Sequence, residues 1–128
     1  RIRQRIPTGI MLPAVGQGAV GVQCRADDAK TTSLLAPLDH VPTHARITAE
    51  RAANVHLGGG CHLPIGAFAE IEGEQLRLRG LVGRPDGSNI LFASAKGLVS
   101  EAEAVGHTLA DDLLGQGAKA LLQEFANA

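Results

Sequence analysis

A thiol stands directly after three glycines in Leu57-Gly58-Gly59-Gly60-Cys61-His62-Leu63-Pro64-Ile65-Gly66-Ala67. Glycine gives the backbone access to positive φ and close approach to a ligand, at a cost in conformational entropy. Packing alone does not call for a cysteine on such a hinge. Presented there, Cys61 is a candidate for covalent chemistry through its thiolate. The plain alternative is a small, buried apolar residue following a helix. His62 does not serve as its base, because adjacent side chains of an extended chain point to opposite faces. His44 and His56 read as helix-surface residues and His107 as a solvated one.

Other constellations are weaker. His56, Cys61 and His62 are spaced by five and one, which matches no usual zinc pattern of paired ligands two to four apart. Gly16-Gln17-Gly18-Ala19-Val20-Gly21 matches the dinucleotide pattern G-x-G-x-x-G. That mechanism needs a helix opening at the glycines to meet the pyrophosphate. Val22-Gln23-Cys24 reads instead as strand, so the glycines are expected to form a turn in which Gln17 presents its amide to a ligand. Arg25, Arg46, Arg51, Arg77, Arg79 and Arg84 are carboxylate clamps in principle, and mostly surface charges by expectation. Arg46 and Glu50, four apart on a predicted helix, are expected to pair with each other. Cys24, in its alternating stretch, is expected to be buried packing.

Composition removes several function classes. The chain has 128 residues, 45% hydrophobic and 20% charged, with a net charge of −1. Three phenylalanines are its only aromatic residues of the Phe, Trp and Tyr set. Stacking recognition of single-stranded nucleic acid needs more aromatic surface, and there is no basic field to attract a phosphate backbone. Nucleic-acid and membrane partners are therefore not expected. Two cysteines are too few for a disulfide scaffold, which makes a reducing cytoplasm the expected compartment. Arg1-Ile2-Arg3-Gln4-Arg5-Ile6-Pro7 lacks an initiator methionine and reads as a helix tail, so the chain is expected to begin inside a larger protein.

The elements that must position Cys61 follow from periodicity. Val20–Cys24 reads as a strand. Asp27 or Asp28 then caps a short helix with Leu34, Leu35 and Leu38 on one face. Asp39-His40-Val41, between Pro37 and Pro42, is the expected domain boundary. An alanine-rich helix over Thr43–Leu57 is stopped by Gly58–Gly60, with small residues suited to close packing against a neighbour. Ile65–Ile71, Gln75–Val82 and Asn89–Ala95 form an antiparallel meander with turns at Glu72-Gly73 and Pro85-Asp86-Gly87-Ser88. Ser100-Glu101-Ala102-Glu103 reads as a capping box, opening a helix with Ala102, Val105, Leu109 and Leu113 on one stripe. Gly115 and Gly117 break it before a last helix that offers Ala118, Leu121, Leu122 and Phe125. The fold class is α+β: a three-stranded antiparallel sheet packed by helices, preceded by the tail of an α/β domain.

Three stretches taken together are more specific than any one. Pro13-Ala14-Val15-Gly16-Gln17-Gly18-Ala19-Val20-Gly21, Thr48-Ala49-Glu50-Arg51-Ala52 and Gly59-Gly60-Cys61-His62-Leu63-Pro64-Ile65-Gly66 occur in order. With them the chain closely resembles the porphobilinogen deaminase family over about residues 11–125. The resemblance implies a transferase of tetrapyrrole (porphyrin and heme) biosynthesis. Residues 1–40 would be the end of its second domain and 41–128 its third. It implies a dipyrromethane cofactor held by a thioether at Cys61, with Gln17 and Gly18 approaching the bound pyrroles. It further implies that four porphobilinogen units are condensed head-to-tail, with loss of ammonia, into hydroxymethylbilane, and that the full-length enzyme is a monomer. None of Asp27, Asp28, Asp39, Asp86, Asp111 and Asp112 matches the family's catalytic aspartate, so no catalytic residue is assigned in this chain. The chain alone is expected to be inactive and to need the N-terminal domains as its partner. The competing expectation is a non-catalytic α+β binding or regulatory domain.

Overall fold

Alternation of side chains between two faces of a small sheet builds the centre of the molecule. The computed structural model describes residues 1–60 and 62–126. Strands β1 (Ile65–Glu72), β2 (Gln75–Gly83) and β3 (Ile90–Leu98) form one antiparallel sheet in the order β1-β2-β3. Register puts Ala69, Leu78 and Ala95 in one row, beside the row of Ile71, Leu76 and Gly97. Because side chains alternate between faces, these rows share the covered face, where Leu76, Leu78 and Val82 are fully buried. The opposite face carries the rows Phe68–Arg79–Ser94 and Glu70–Arg77–Lys96. β3 runs three residues past its predicted end at Ala95. In the β2–β3 turn Ser88 N–H donates to Asp86 Oδ1 at 3.0 Å. That bond, with one from the Ser88 hydroxyl, holds the Asp86 carboxyl below its ordinary range.

Helices α2 (Val41–His56), α3 (Ala102–Gly115) and α4 (Ala118–Ala126) close the covered face, with α1 (Ala29–Leu35) preceding them. Val105, Leu109 and Leu113 of α3 are buried as one stripe, and Leu121 and Leu122 of α4 complete the core. The small residues of α2 do admit a close neighbour, and that neighbour is α3. A side chain at Gly106 would meet the Ala49 carbonyl and come within 2.6 Å of Ala52 Cβ. The expected capping box does not form. Val99–Glu101 continue from β3 as a 3-10 turn, Glu101 takes the N-cap position, and it makes no side-chain cap bond. The chain leaves the strand already wound, so Ser100 never occupies the extended conformation that an N-cap needs.

The first forty residues are built differently. Arg1–Pro7 form no helix, and Val20–Cys24 form no strand. Val20 is 92% exposed and Val22 62%, since β propensity records fit to a half-buried pleated surface and no neighbouring strand is present to supply one. Cys24 is accordingly exposed rather than packed, with its sulfur 3.7 Å from Thr32 Oγ1. Asp28 does cap α1, accepting from Thr31 N–H at 3.0 Å. Leu34 and Leu38 are nonetheless exposed. Residues 12–17 alone engage the sheet rim: Ala14 bridges Gly66, and Ala67 N–H donates to Pro13 O at 3.2 Å. No helix among the described residues is long and apolar enough to cross a membrane.

Candidate functional site

The glycines around Gln17 make a turn, as their residue types require. Gly16 and Gly18 have φ of 71° and 88°, a left-handed region that side chains with a Cβ rarely enter. Gln17 N–H donates to Ala14 O and Ala19 N–H to Gly16 O, both at 3.1 Å. No helix follows, so the geometry that would seat a pyrophosphate on helical N–H groups is absent. Gln17 is exposed, and its Oε1 accepts from Ala14 N–H at 3.0 Å. That leaves its amide NH2 as the donor end. A Cβ built on Gly18 would meet nothing within 4 Å, so the turn has an open flank.

Glu50 holds this turn, and sequence reasoning missed it. The residue is 4% exposed, on the face of α2 that meets β1. Its Oε2 accepts from Gly16 N–H at 2.8 Å and its Oε1 from Ala69 N–H at 2.9 Å. Burial pushes its carboxyl above the ordinary range, opposed by those two bonds and by the charge of Arg46. The expected Arg46–Glu50 ion pair is not among those of the described residues. Arg46 acts on Glu50 as a nearby charge, and its Nε is buried without a partner. The i, i+4 rule looks along one helix, whereas both of Glu50's partners are backbone groups, 34 and 19 residues away in sequence.

The helix carrying Glu50 ends where the sequence says it should. Gly58 takes φ 72°; its N–H donates to Val55 O at 2.9 Å, and Gly59 N–H donates to Asn54 O at 2.8 Å. These two crossed bonds are a Schellman stop. Beyond it Leu63 N–H donates to Gly60 O at 3.1 Å, and Pro64 O accepts from Gly83 N–H at 3.1 Å. Cys61, the expected thioether anchor, lies outside the described residues. Both chain segments flanking it are hydrogen-bonded, one to the end of α2 and the other to the end of β2.

The remaining candidates disperse. His56 Nε2 donates to Asp111 Oδ1 at 2.8 Å across α2 and α3, with the His107 ring 5.1 Å away between centroids. No group of three or more His, Cys, Asp or Glu among the described residues is placed to hold a metal ion. Arg84 pairs with Glu124 at 2.7 Å and Arg25 with Asp28 at 3.6 Å. Arg79 crosses the outer sheet face, donating to Thr8 O at 3.1 Å and to Glu70 Oε2 at 2.9 Å. Beside it a groove of about 640 Å³ runs between residues 8–12 and the sheet, lined by Leu81, Ile90 and Phe92 among others.

Comparison with protein families separates the chain into two parts. Residues 44–115, more than half of the chain, match the family model described as porphobilinogen deaminase, C-terminal domain. Residues 1–33 match the model described as porphobilinogen deaminase, dipyromethane cofactor binding domain.

Proposed function

The chain belongs to the porphobilinogen deaminase family, and we propose that it supplies the cofactor tether of an enzyme that condenses four porphobilinogen units head-to-tail into hydroxymethylbilane. The carrying observation is the co-occurrence, in order, of the two matched parts at 1–33 and 44–115. Under this reading residues 1–40 complete the second domain and residues 41–128 are the third. Cys61 holds dipyrromethane through a thioether. A soft thiolate suits carbon electrophiles, and a thioether survives repeated acid catalysis that would threaten an ester. A dipyrromethane bound there would supply the pyrrole carbon to which further units are joined, each with loss of one ammonia, and water would break the bond that releases the finished chain as its hydroxymethyl form.

The residues of this chain hold and orient. Gln17 offers an exposed amide NH2, and the open flank of Gly18 lets a planar ring approach the backbone closely. The Schellman stop at Gly58 and the bond from Gly83 to Pro64 fix the two ends of the tether segment. The catalytic acid comes from the N-terminal domains, which are also the partner that admits porphobilinogen. The chain alone therefore has no deaminase activity.

Mixing it with the complementary N-terminal portion and porphobilinogen tests the reading. Turnover is expected, together with a dipyrromethane mass adduct that Cys61→Ser abolishes. An unmodified mass under those conditions would overturn the assignment and favour a non-catalytic binding domain. Turnover by the chain alone would overturn the division of labour.

A further inference from the structure

By sequence, residues 1–33 go with the cofactor-binding domain; by hydrogen bonding, residues 13–17 go with the C-terminal body. Two hydrogen bonds make that attachment, one to β1 and one to α2, with Ala14 and Gly66 paired beside the first. Ala14 bridges Gly66, Pro13 O accepts from Ala67 N–H, and Gly16 N–H donates to Glu50 Oε2. After the segment the chain is loose from the body, and before it the body's hold is that of Arg79 on Thr8. Met11 is 59% exposed before the segment, and Val20 is 92% exposed after it.

Glu50 is the only buried charged or polar residue of the described core. Its two oxygens are divided, one to the segment and one to the sheet rim. Ala69 N–H, next along β1 after the pair Ala67 makes with Pro13, would otherwise lack a partner on that rim. The Glu50 carboxylate takes this amide in place of a neighbouring strand. A carboxylate accepting two backbone N–H bonds is held more strongly than a neutral contact.

We propose that Glu50 is a positioning residue that makes the Gly16-Gln17-Gly18 turn part of the C-terminal body. Gln17 then travels with α2 and β1 when that body moves, and the joint to the preceding domain lies outside residues 12–17. The functional meaning rests on the reading above, in which Gln17 meets the bound pyrroles. The turn keeps a fixed relation to the ends of the tether segment while the cofactor-binding domain shifts past both.

Amide hydrogen exchange on this chain tests the attachment without any assumption about catalysis. In the native chain Gly16 N–H is expected to be protected alongside Ala69 N–H, while Gly18 and Gly21 exchange freely. Glu50→Gln keeps the shape but turns an NH2 toward one of the two N–H donors. It is expected to speed Gly16 exchange by about tenfold to a hundredfold, as loss of a charge-assisted bond implies, with Ala53 unchanged within the core of α2. A Gly16 amide that exchanges freely in the native chain overturns the proposal even if the variant fails to fold. Unaltered protection of both Gly16 and Ala69 in a folded Glu50→Gln chain, or of Gly16 in a folded Glu50→Ala chain, overturns it as well. Joined to the N-terminal portion, Glu50→Gln is expected to keep the Cys61 adduct while lowering turnover, a split that simple destabilisation does not produce. If the native chain shows neither adduct nor turnover, the enzymatic reading fails, and the exchange experiment still decides the attachment.

Discussion

The residue that most repays attention is Glu50, whose raised carboxyl gives a pH dependence of definite sign. Its folded value lies above the ordinary 4.5 because burial disfavours the charge. The folded state therefore binds the proton more tightly than the unfolded chain does. Its contribution to stability is fully present below the ordinary value and is lost as pH rises through the raised one. Urea midpoints of the native chain, taken relative to Glu50→Gln, are expected to fall as pH is raised from about 4.5 toward neutrality. A difference that stays flat or rises over that interval contradicts the burial argument. Glu50 was legible in the sequence only as half of a helical charge pair. Nothing local reveals that a carboxylate will find two backbone donors from distant segments. Cys61 is a different case: its glycines and the proline after it mark it as a candidate anchor in the sequence, and it lies outside the described residues.

At the scale of elements, the sheet and α2, α3 and α4 were legible because each buries one face of a clean period, and burial is what fixes register and helix phase. The misses share one physical origin. Val20–Cys24 has strand composition without a strand to pair with, and Ser100 has cap composition without cap geometry. Both depend on what precedes or lies beside them, which a local window does not contain. The α2–α3 crossing makes a sharper test. Gly106→Ala pushes a methyl into the Ala49 carbonyl and Ala52 Cβ, and overpacking of that kind costs about 1–3 kcal/mol. The expected loss appears as a lower urea midpoint with an unchanged slope. At the end of α2, Gly58→Ala forces a Cβ into φ 72°, at about 1–2 kcal/mol. Gly58→Asn is expected to cost less, because asparagine tolerates that region. Equal costs for the two would argue that the left-handed stop is not the constraint.

Over the whole molecule, order is unequally divided. A helix-covered sheet from Val41 onward carries the core, while most of residues 1–40 lie exposed along it, tied down chiefly by the strap at 12–17 and by Arg79 at Thr8. Limited trypsin digestion is expected to cut first at Arg25, whose side chain is 84% exposed, and to leave the body from Val41 intact for much longer. Adding the N-terminal portion is expected to protect Arg25, since the exposed Val20 and Val22 then gain the neighbours their composition calls for. Uniform digestion of the chain would refute this division. Arg79→Met is expected to release Thr8 and open residues 7–12 to exchange, with little change in the digestion pattern of the body.

The two rims of the sheet are finished differently, and this bears on self-association. At β1 the strap and the Glu50 carboxylate already occupy outward-facing amides, so a foreign strand finds few open donors there. β3 forms the other rim, where Gln116 Nε2 donates to Phe92 O at 3.0 Å. An unpaired, apolar rim is a template for strand addition and aggregation, and a lysine on it opposes that growth. Lys96 is the only charged residue of β3. Replacing it with an uncharged β-former is expected to favour strand-to-strand association of copies along this rim, read as a larger species in size-exclusion chromatography.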